Sequence, residues 1–421
     1  MRMSSVVNAW VVVGLLGVPA VSHAQTPGEA LQQEIQQLRK DLDALKQDYE
    51  ARLAALEAKL AAAQGAPAAA TPPTTVTTGE GTALPVYGAG SGSKLFNPDI
   101  AVIGDFLGTA GRNLVAPAPA LAMHESEASF QAIVDPYARA DFFMSFGESG
   151  VDLEEGYLTL TSLPGGLLTR VGKMRAAFGK VNGFHNHMLP WADRPLVVEN
   201  LVGGEEGLSD AGISVARLIP NPWLFLEATG QVFRGDTEAD LFKSSRRGDL
   251  SVVGHVRGYQ DLSESTNIDL GVSYSRGHNS AGIVDGADVG RFRTQIYGVD
   301  GTVRWRPLRR AIYRSFIGRT ELVWSRRQQF GGQQNAMGYY VSGDYQIARR
   351  WVTGIRYDRS ERADDAAVFD RGGSVVVTYS PSEFSQVRGQ YRRTRYGAES
   401  TANELLFQFL FSIGAHGAHP F

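Results

Sequence analysis

Residues 403–421 read "NELLFQFLFSIGAHGAHPF". Leu405, Phe407, Phe409, Phe411 and Ile413 fall on every second residue, with Leu406, Gln408, Leu410 and Ser412 between them. In a strand these two sets point to opposite faces. One face is therefore strongly apolar, and it lies almost at the end of the chain. What it touches decides the fold.

Similar segments of about ten residues recur from Asn97 onward, separated by Gly, Pro, Asn and Asp turns. They fall near 99–109, 125–134, 137–148, 151–162, 167–179, 208–217, 222–234, 249–259, 265–278, 292–306, 311–327, 335–347, 350–361, 369–380, 383–396 and 402–414. The count is about sixteen and even, as bacterial single-chain membrane barrels require. Short turns such as "DPY", "SLPGG" and "SPSE" alternate with mostly longer connections, the longest spanning 181–207.

A soluble β-sandwich is the rival fold. Against it, the apolar faces carry aromatics near their ends, among them Tyr297, Trp305, Trp324, Tyr339, Tyr345, Trp351, Tyr357, Tyr379 and Tyr391. Such girdles mark the two interfaces of an outer-membrane barrel. The opposite faces carry charge: Arg139, Asp141, Glu155, Lys173, Arg175, Asp300, Arg304, Arg319, Glu321, Arg356, Arg388 and Arg392. In a dry sandwich core each would cost several kcal/mol, whereas a watered lumen accepts them. The apolar face of Leu405 to Ile413 is thus expected to touch lipid. Gln408 and Thr378, on the other face, are expected to tolerate arginine. The fold expected is an all-β transmembrane barrel of about sixteen antiparallel strands, preceded by a periplasmic α-helical coiled coil.

The first 24 residues hold Arg2, an apolar run from Val11 to Val21, and Ser22-His23-Ala24 before a cut at Gln25. That is a secretory signal peptide, too short for a membrane span. The absence of cysteine rules out a disulfide scaffold in the exported chain. Residues 25–64 follow as a helix. Thr26 and Glu29 form a capping box, and apolar residues run Leu31, Ile35, Leu38, Leu42, Leu45, Tyr49, Leu53, Leu56 and Leu60. Steps of three and four make a coiled-coil seam about 55 Å long, with a stutter between Tyr49 and Leu53. Residues 65–96 are an Ala/Pro/Thr/Gly linker, and 97–421 the barrel. Terminal Phe421 is expected to serve as the aromatic end that barrel-assembly signals commonly carry, making the barrel-assembly machinery an expected partner.

Net charge is −3 with 20% charged residues, which gives no footprint for nucleic acid. No Gly-x-Ser-x-Gly elbow accompanies His255 and His278, the histidines on the expected strands, although Ser273 and Ser275 lie near. No enzyme activity and no cofactor are expected. His185 and His187 in the long connection would need further metal ligands, with His124 or Glu205 as candidates, and His416 and His419 read as a polar tail.

The stretch 169–215, "TRVGKMRAAFGKVNGFHNHMLPWADRPLVVENLVGGEEGLSDAGISV", resembles the phosphate-selective porin O/P superfamily, together with "VDLEEGYLTL" before it. The helix–linker–barrel order is similar to porins with an N-terminal trimerising coiled coil. The resemblance implies a homotrimer of sixteen-stranded porins, a third extracellular loop folded into the pore, and lumen cations lining a path for anions. Lys173 and Arg175 sit on the matching strand, facing Glu155. The lumen set is mixed, however, with Asp105, Glu127, Asp141, Glu155, Glu227, Asp269, Asp300, Glu321 and Asp344 balancing the bases. The expected function is passive diffusion of small polar or anionic solutes across an outer membrane. The alternative is a structural protein whose coiled coil tethers that membrane to the cell wall.

Overall fold

The computed structural model describes Lys40 and residues 98–147, 150–237, 241–398 and 400–414. The expected signal peptide, coiled coil and linker, and the tail with His416, His419 and Phe421, lie outside the described residues apart from Lys40. The rest is one closed antiparallel barrel of sixteen strands. In chain order these are β1 (Asp99–Arg112), β2 (Leu121–Asp135), β3 (Ala138–Gly147), β4 (Gly150–Leu163), β5 (Leu167–Arg175), β6 (Ser209–Leu218), β7 (Phe225–Phe233), β8 (Ser251–Ser263) and β9 (Thr266–His278). A two-residue hairpin, β10 (Ile283–Val284) and β11 (Ala287–Asp288), stands apart from the wall. Then come β12 (Arg293–Trp305), β13 (Phe316–Gln329), β14 (Gly332–Ala348), β15 (Trp351–Glu361), β16 (Phe369–Ser382), β17 (Ser385–Tyr396) and β18 (Ser400–Gly414). Each wall strand pairs with its sequence neighbours, and β1 closes the ring on β18 from Ala101↔Gly414 to Arg112↔Asn403. Closure removes the sheet edges, so every ladder group has a partner without help from solvent. Among the described residues no helix is long and apolar enough to cross a membrane.

One end carries the connections 136–137, 164–166, 219–224, 264–265, 306–315, 349–350 and 383–384. The other carries 113–120, 148–149, 176–208, 234–250, 279–292, 330–331, 362–368 and 397–399, among them the three longest connections of the barrel. The connection 176–208 is the third at this loop end, as the resemblance implied.

The period-two pattern of β18 is realised: Leu405, Phe407 and Ile413 are 54–62% exposed on the outer face, while Leu406, Gln408 and Leu410 are buried inside. Aromatic pairs of the outer face meet across strands, Trp351 with Tyr379 at 4.6 Å and Tyr339 with Tyr357 at 6.3 Å between ring centroids. So large an apolar exposure, all round a closed wall, is far beyond the patches that water-exposed proteins carry and matches a hydrocarbon-facing band.

Several register shifts interrupt the ladder, most of them beside the short turns, and two away from those turns bear on the lumen. Register shifts between Asp105 and Phe106 leave His124 as the extra residue of β2, and between Phe143 and Met144 leave Glu154 extra on β4. A bulge re-aims the following side chains. Glu154 and Glu155 are consequently both turned into the lumen and buried.

The expectation of an open, watered lumen at Gln408 fails. Gln408 is 1% exposed, donates through Nε2 to both oxygens of Asp105 at 2.9 and 3.0 Å, and accepts from Arg388 Nη1. Inner-face positions therefore divide. Phe409→Arg, on the outer face near mid-strand, is expected to cost about 2–4 kcal/mol in a bilayer. Thr378→Arg, which opens into a cavity described below, is expected to cost much less, and Gln408→Arg to be damaging because it removes the acceptor of Arg388 and sets a second guanidinium against it in a buried place. Urea unfolding in lipid vesicles measures all three, and equal damage at Phe409 and Thr378 would count against a lipid-facing outer wall.

Candidate functional site

Residues 176–208 leave β5 and rejoin the wall at β6, yet they do not stay on that side. Short 3-10 turns at Val181–Gly183 and Asn186–Met188 lead to the helix α1 (Leu196–Leu201), which packs on β13 to β16 across the lumen. In a ring of sixteen strands that is the wall facing β5 and β6. The sequence reason is local. The segment alternates apolar residues with small and polar ones, and Phe178, Val181, Trp191, Val197, Val198, Leu201 and Leu208 are each at most 1% exposed. They form a core with Ile296, Val323, Tyr340 and Val376 of the wall. Trp191 stands edge-on to Tyr340 at 5.3 Å, with the Arg356 guanidinium 4.8 Å over its ring.

A buried irregular segment must satisfy its own backbone groups. Here the wall supplies the partners, one strand after another. The Ala177 N–H donates to Gln231 Oε1 of β7 at 2.7 Å, and Gly179 N–H to Ser273 Oγ of β9 at 2.9 Å. Lys180 and Val181 N–H share Glu321 Oε1 of β13 at 3.0 and 2.7 Å. Ala192 N–H reaches Gln390 of β17 at 2.8 Å, and Arg388 Nη1 donates to the Trp191 carbonyl at 2.9 Å. Asp193 is the charged clasp. Its Oδ2 accepts from Arg356 Nη2 at 2.8 Å and Arg392 Nη1 at 2.9 Å, and its Oδ1 from Gln390. At the base, Asn182 Nδ2 donates to the carbonyls of Ala176 and Leu208, and Leu208 N–H returns to its Oδ1. Gly207 closes this staple at φ +63°, and a Cβ there would collide with Asn182 Oδ1.

On either side of the loop lies a cavity. One of about 440 Å³ opens toward the short-turn end, with Lys180, Arg304, Arg319, Arg388, Asp344 and Glu383 on its wall. The other, of about 140 Å³, lies toward the loop end, with His124, Asp193, Arg194, Glu199, Glu205 and Arg392. Leu189 lines both. The loop thus lies between two charged cavities that share Leu189.

The sequence-derived residues distribute unevenly over this arrangement. Arg304, Arg319 and Arg388 line the larger cavity and Arg392 the smaller. Arg356, 4% exposed, serves the clasp and pairs with Asp358 at 2.8 Å. Arg139 pairs with Asp141 at 2.8 Å on β3. Lys173 and Arg175 do not share Glu155 as expected. Lys173 Nζ lies 3.8 Å from Asp152, and the Arg175 guanidinium bonds Glu154 Oε2 at 2.9 Å. Glu155 instead accepts the Arg175 backbone N–H at 2.6 Å. The bulge at Glu154 is the reason, since strict alternation would have sent that carboxylate outward. Neither Lys173 nor Arg175 lines the two cavities.

His124 and Glu205 bond each other at 2.7 Å rather than joining His185. The groups around His185 are Glu127, Glu154 and Glu155, which the spacing of "HNH" gave no means to find. His255 Nδ1 lies 2.9 Å from Ser273 Oγ. That hydroxyl is buried and already holds the Gly179 N–H, so the pair seats the loop.

No protein-family model matches the sequence. An uncharacterised protein of Aquifex aeolicus (strain VF5) is 29% identical over 339 residues, covering 71% of this chain and 70% of that protein. Among solved structures, the barrel is similar to OprB of Pseudomonas putida, with TM-score 0.54 and 11% identity over 75% of this chain and 94% of that one. It is similar also to an anion-selective porin from Comamonas acidovorans, with TM-score 0.52 and 11% identity over 75% and 98%. The trimer form of OmpT, an outer membrane protein of Vibrio cholerae, gives TM-score 0.51 and 10% identity over 75% and 98%. At these identities the likeness establishes the sixteen-stranded barrel fold.

Proposed function

We propose that the protein is an outer-membrane channel of porin type, passing small polar solutes by passive diffusion with a mild preference for anions. The observation that carries this is the wall-anchored loop, which narrows a sealed barrel to two charged cavities meeting at Leu189. A rigid constriction lined by charge is how a barrel selects solutes by size and sign. The larger cavity bears four cationic side chains, Lys180, Arg304, Arg319 and Arg388, against Asp344 and Glu383. Part of that charge is compensated: Lys180 Nζ lies 2.6 Å from Asp269, and Arg319 pairs with Asp344. The surplus left over is modest, so selectivity is weak and falls with salt. Porin-fold relatives include an anion-selective member and a trimeric form. They support a trimer in a Gram-negative outer membrane, while a periplasmic coiled coil over 25–64 rests on the leucine seam of the sequence. Phosphate selectivity rests on the sequence resemblance alone.

Planar-bilayer recording tests the reading. The full chain is expected to give discrete conductance steps, with a reversal potential in a salt gradient displaced toward the anion value. Arg304→Gln with Arg319→Gln is expected to move that potential toward cations at low ionic strength and to leave it nearly unchanged at high. Absence of conductance from well-folded protein would favour the tether.

A further inference from the structure

On the near side of the lumen the loop brings His185 into a nest of carboxylates. The residue is 5% exposed. Its Nδ1 lies 2.8 Å from Glu127 Oε2 and equally 2.8 Å from Glu154 Oε2, and its Nε2 lies 3.0 Å from Glu155 Oε2. Glu125, beside them on β2, accepts from Asn186 Nδ2 at 2.6 Å. Four carboxylates thus face one imidazole and the Arg175 guanidinium.

The proton count does not close. A ring nitrogen carries one proton at most, and Nδ1 faces two carboxylate oxygens at the same distance. If that proton serves Glu154, Glu127 Oε2 has no hydrogen-bond donor, although the residue is 3% exposed. Glu154 Oε1 is a second buried oxygen without one. A buried, uncompensated carboxylate costs several kcal/mol, and a cation placed between the three groups removes that cost. Nδ1 and one oxygen from each of Glu127 and Glu154 lie within 4.8 Å of one another, so small side-chain adjustments bring all three to the ~2.0–2.2 Å of a metal bond. The other side of the ring is equally suggestive of a ligand. A histidine bound to metal through one nitrogen habitually donates its other N–H to a carboxylate, which fixes tautomer and ring angle. Glu155 occupies that place on Nε2.

We propose that Glu127, Glu154 and His185 Nδ1 form a binding site for a first-row divalent transition metal ion, with zinc the best fit, and that Glu155 is its positioning residue. The donor set is one imidazole and two carboxylates, which suits zinc better than the all-oxygen shell of calcium. His187 Nδ1, 3.7 Å from the same Glu127 oxygen, offers a second imidazole for a fourth position. Arg175 bonds Glu154 through Oε2 at 2.9 Å and so holds that carboxylate against the site. The ligands come from β2, β4 and the loop, so a bound ion ties the constriction to the wall at its near end, as Asp193 does at the far end. This inference does not depend on which solute crosses.

The test uses the full chain in detergent, stripped with EDTA, dialysed and titrated with zinc chloride. Variants are made in a His416→Ala/His419→Ala background, which removes tail histidines. Calorimetry and elemental analysis after desalting are expected to give one zinc per chain. X-ray absorption at the zinc edge is expected to show imidazole nitrogen with oxygen ligands. Glu127→Gln is expected to abolish stoichiometric retention, and Glu155→Gln to weaken affinity ~10–100-fold without removing a ligand. Zinc retained equally by wild type and Glu127→Gln, or no stoichiometric zinc in folded wild type, overturns the proposal. Should Glu127→Gln fail to fold, the absorption spectrum of the wild type and the affinity of Glu155→Gln decide the matter.

Discussion

Asp193→Ala is expected to loosen the far end of the constriction by about 3 kcal/mol, the lower end of what removing one partner of a buried ion pair costs. Arg356 keeps Asp358 and Arg392 keeps Glu404 at 2.8 Å, which is why the loss stays at that end. What disappears is the group that both guanidiniums share with the loop. The barrel ladder is untouched, so the effect is local. Amide exchange through 181–207 is expected to speed up roughly hundredfold at that free-energy change, while exchange in β13 to β17 stays slow. Unchanged protection of the loop would show that the apolar seat under Trp191, not the ionic clasp, holds it.

The clasp also predicts a pH dependence. Burial alone would raise the Asp193 carboxyl, but Arg356 and Arg392 beside it outweigh burial and hold it down at about 2, against 3.8 for an ordinary aspartate. A group depressed in the folded state stabilises it above the unfolded value and loses that contribution as pH falls through the folded one. The stability gap between wild type and Asp193→Ala is therefore expected to be full above about pH 4 and to shrink toward pH 2.

Replacing residues 184–200 with a short Gly–Ser linker is expected to raise single-channel conductance several-fold. The replaced segment carries Leu189, which lines both cavities, and Trp191, Val197 and Val198, which fill the lumen against β14 and β16. Sixteen hydrogen-bonded strands remain, and the wall charges it uncovers are then hydrated. Conductance equal to wild type from a folded variant would place the constriction elsewhere and remove the main support for the proposed function.

Much of the wall was legible in the residues. Strands have a period of two, and a wall that is apolar outside and charged inside writes that period into the sequence plainly. Each of the sixteen expected segments overlaps a wall strand, and Leu405, Phe407 and Ile413 point outward as their spacing demanded. Glu154 escaped because a bulge adds one residue to β4, and a local pattern cannot reveal an insertion that only the pairing with β3 defines. Lys173 and Arg175 were read as a constriction pair from their strand positions. Their partners, Asp152 and Glu154, follow from that same bulge.

By itself, then, the sequence determined which face of each strand is apolar, how many strands there are, and that one long connection between β5 and β6 stands out. Those are consequences of short-range chemistry: alternation, turn residues and side-chain transfer from water. Whether the lumen is open or filled was decided only by the tertiary structure. Gln408 meets Asp105 across 303 positions of chain, and Arg392 meets Asp193 across 199. Ring closure sets β1 against β18 and brings the far wall under the loop. An inward-facing polar residue is the same letter whether it meets water or a buried partner, and only the closed barrel distinguishes the two.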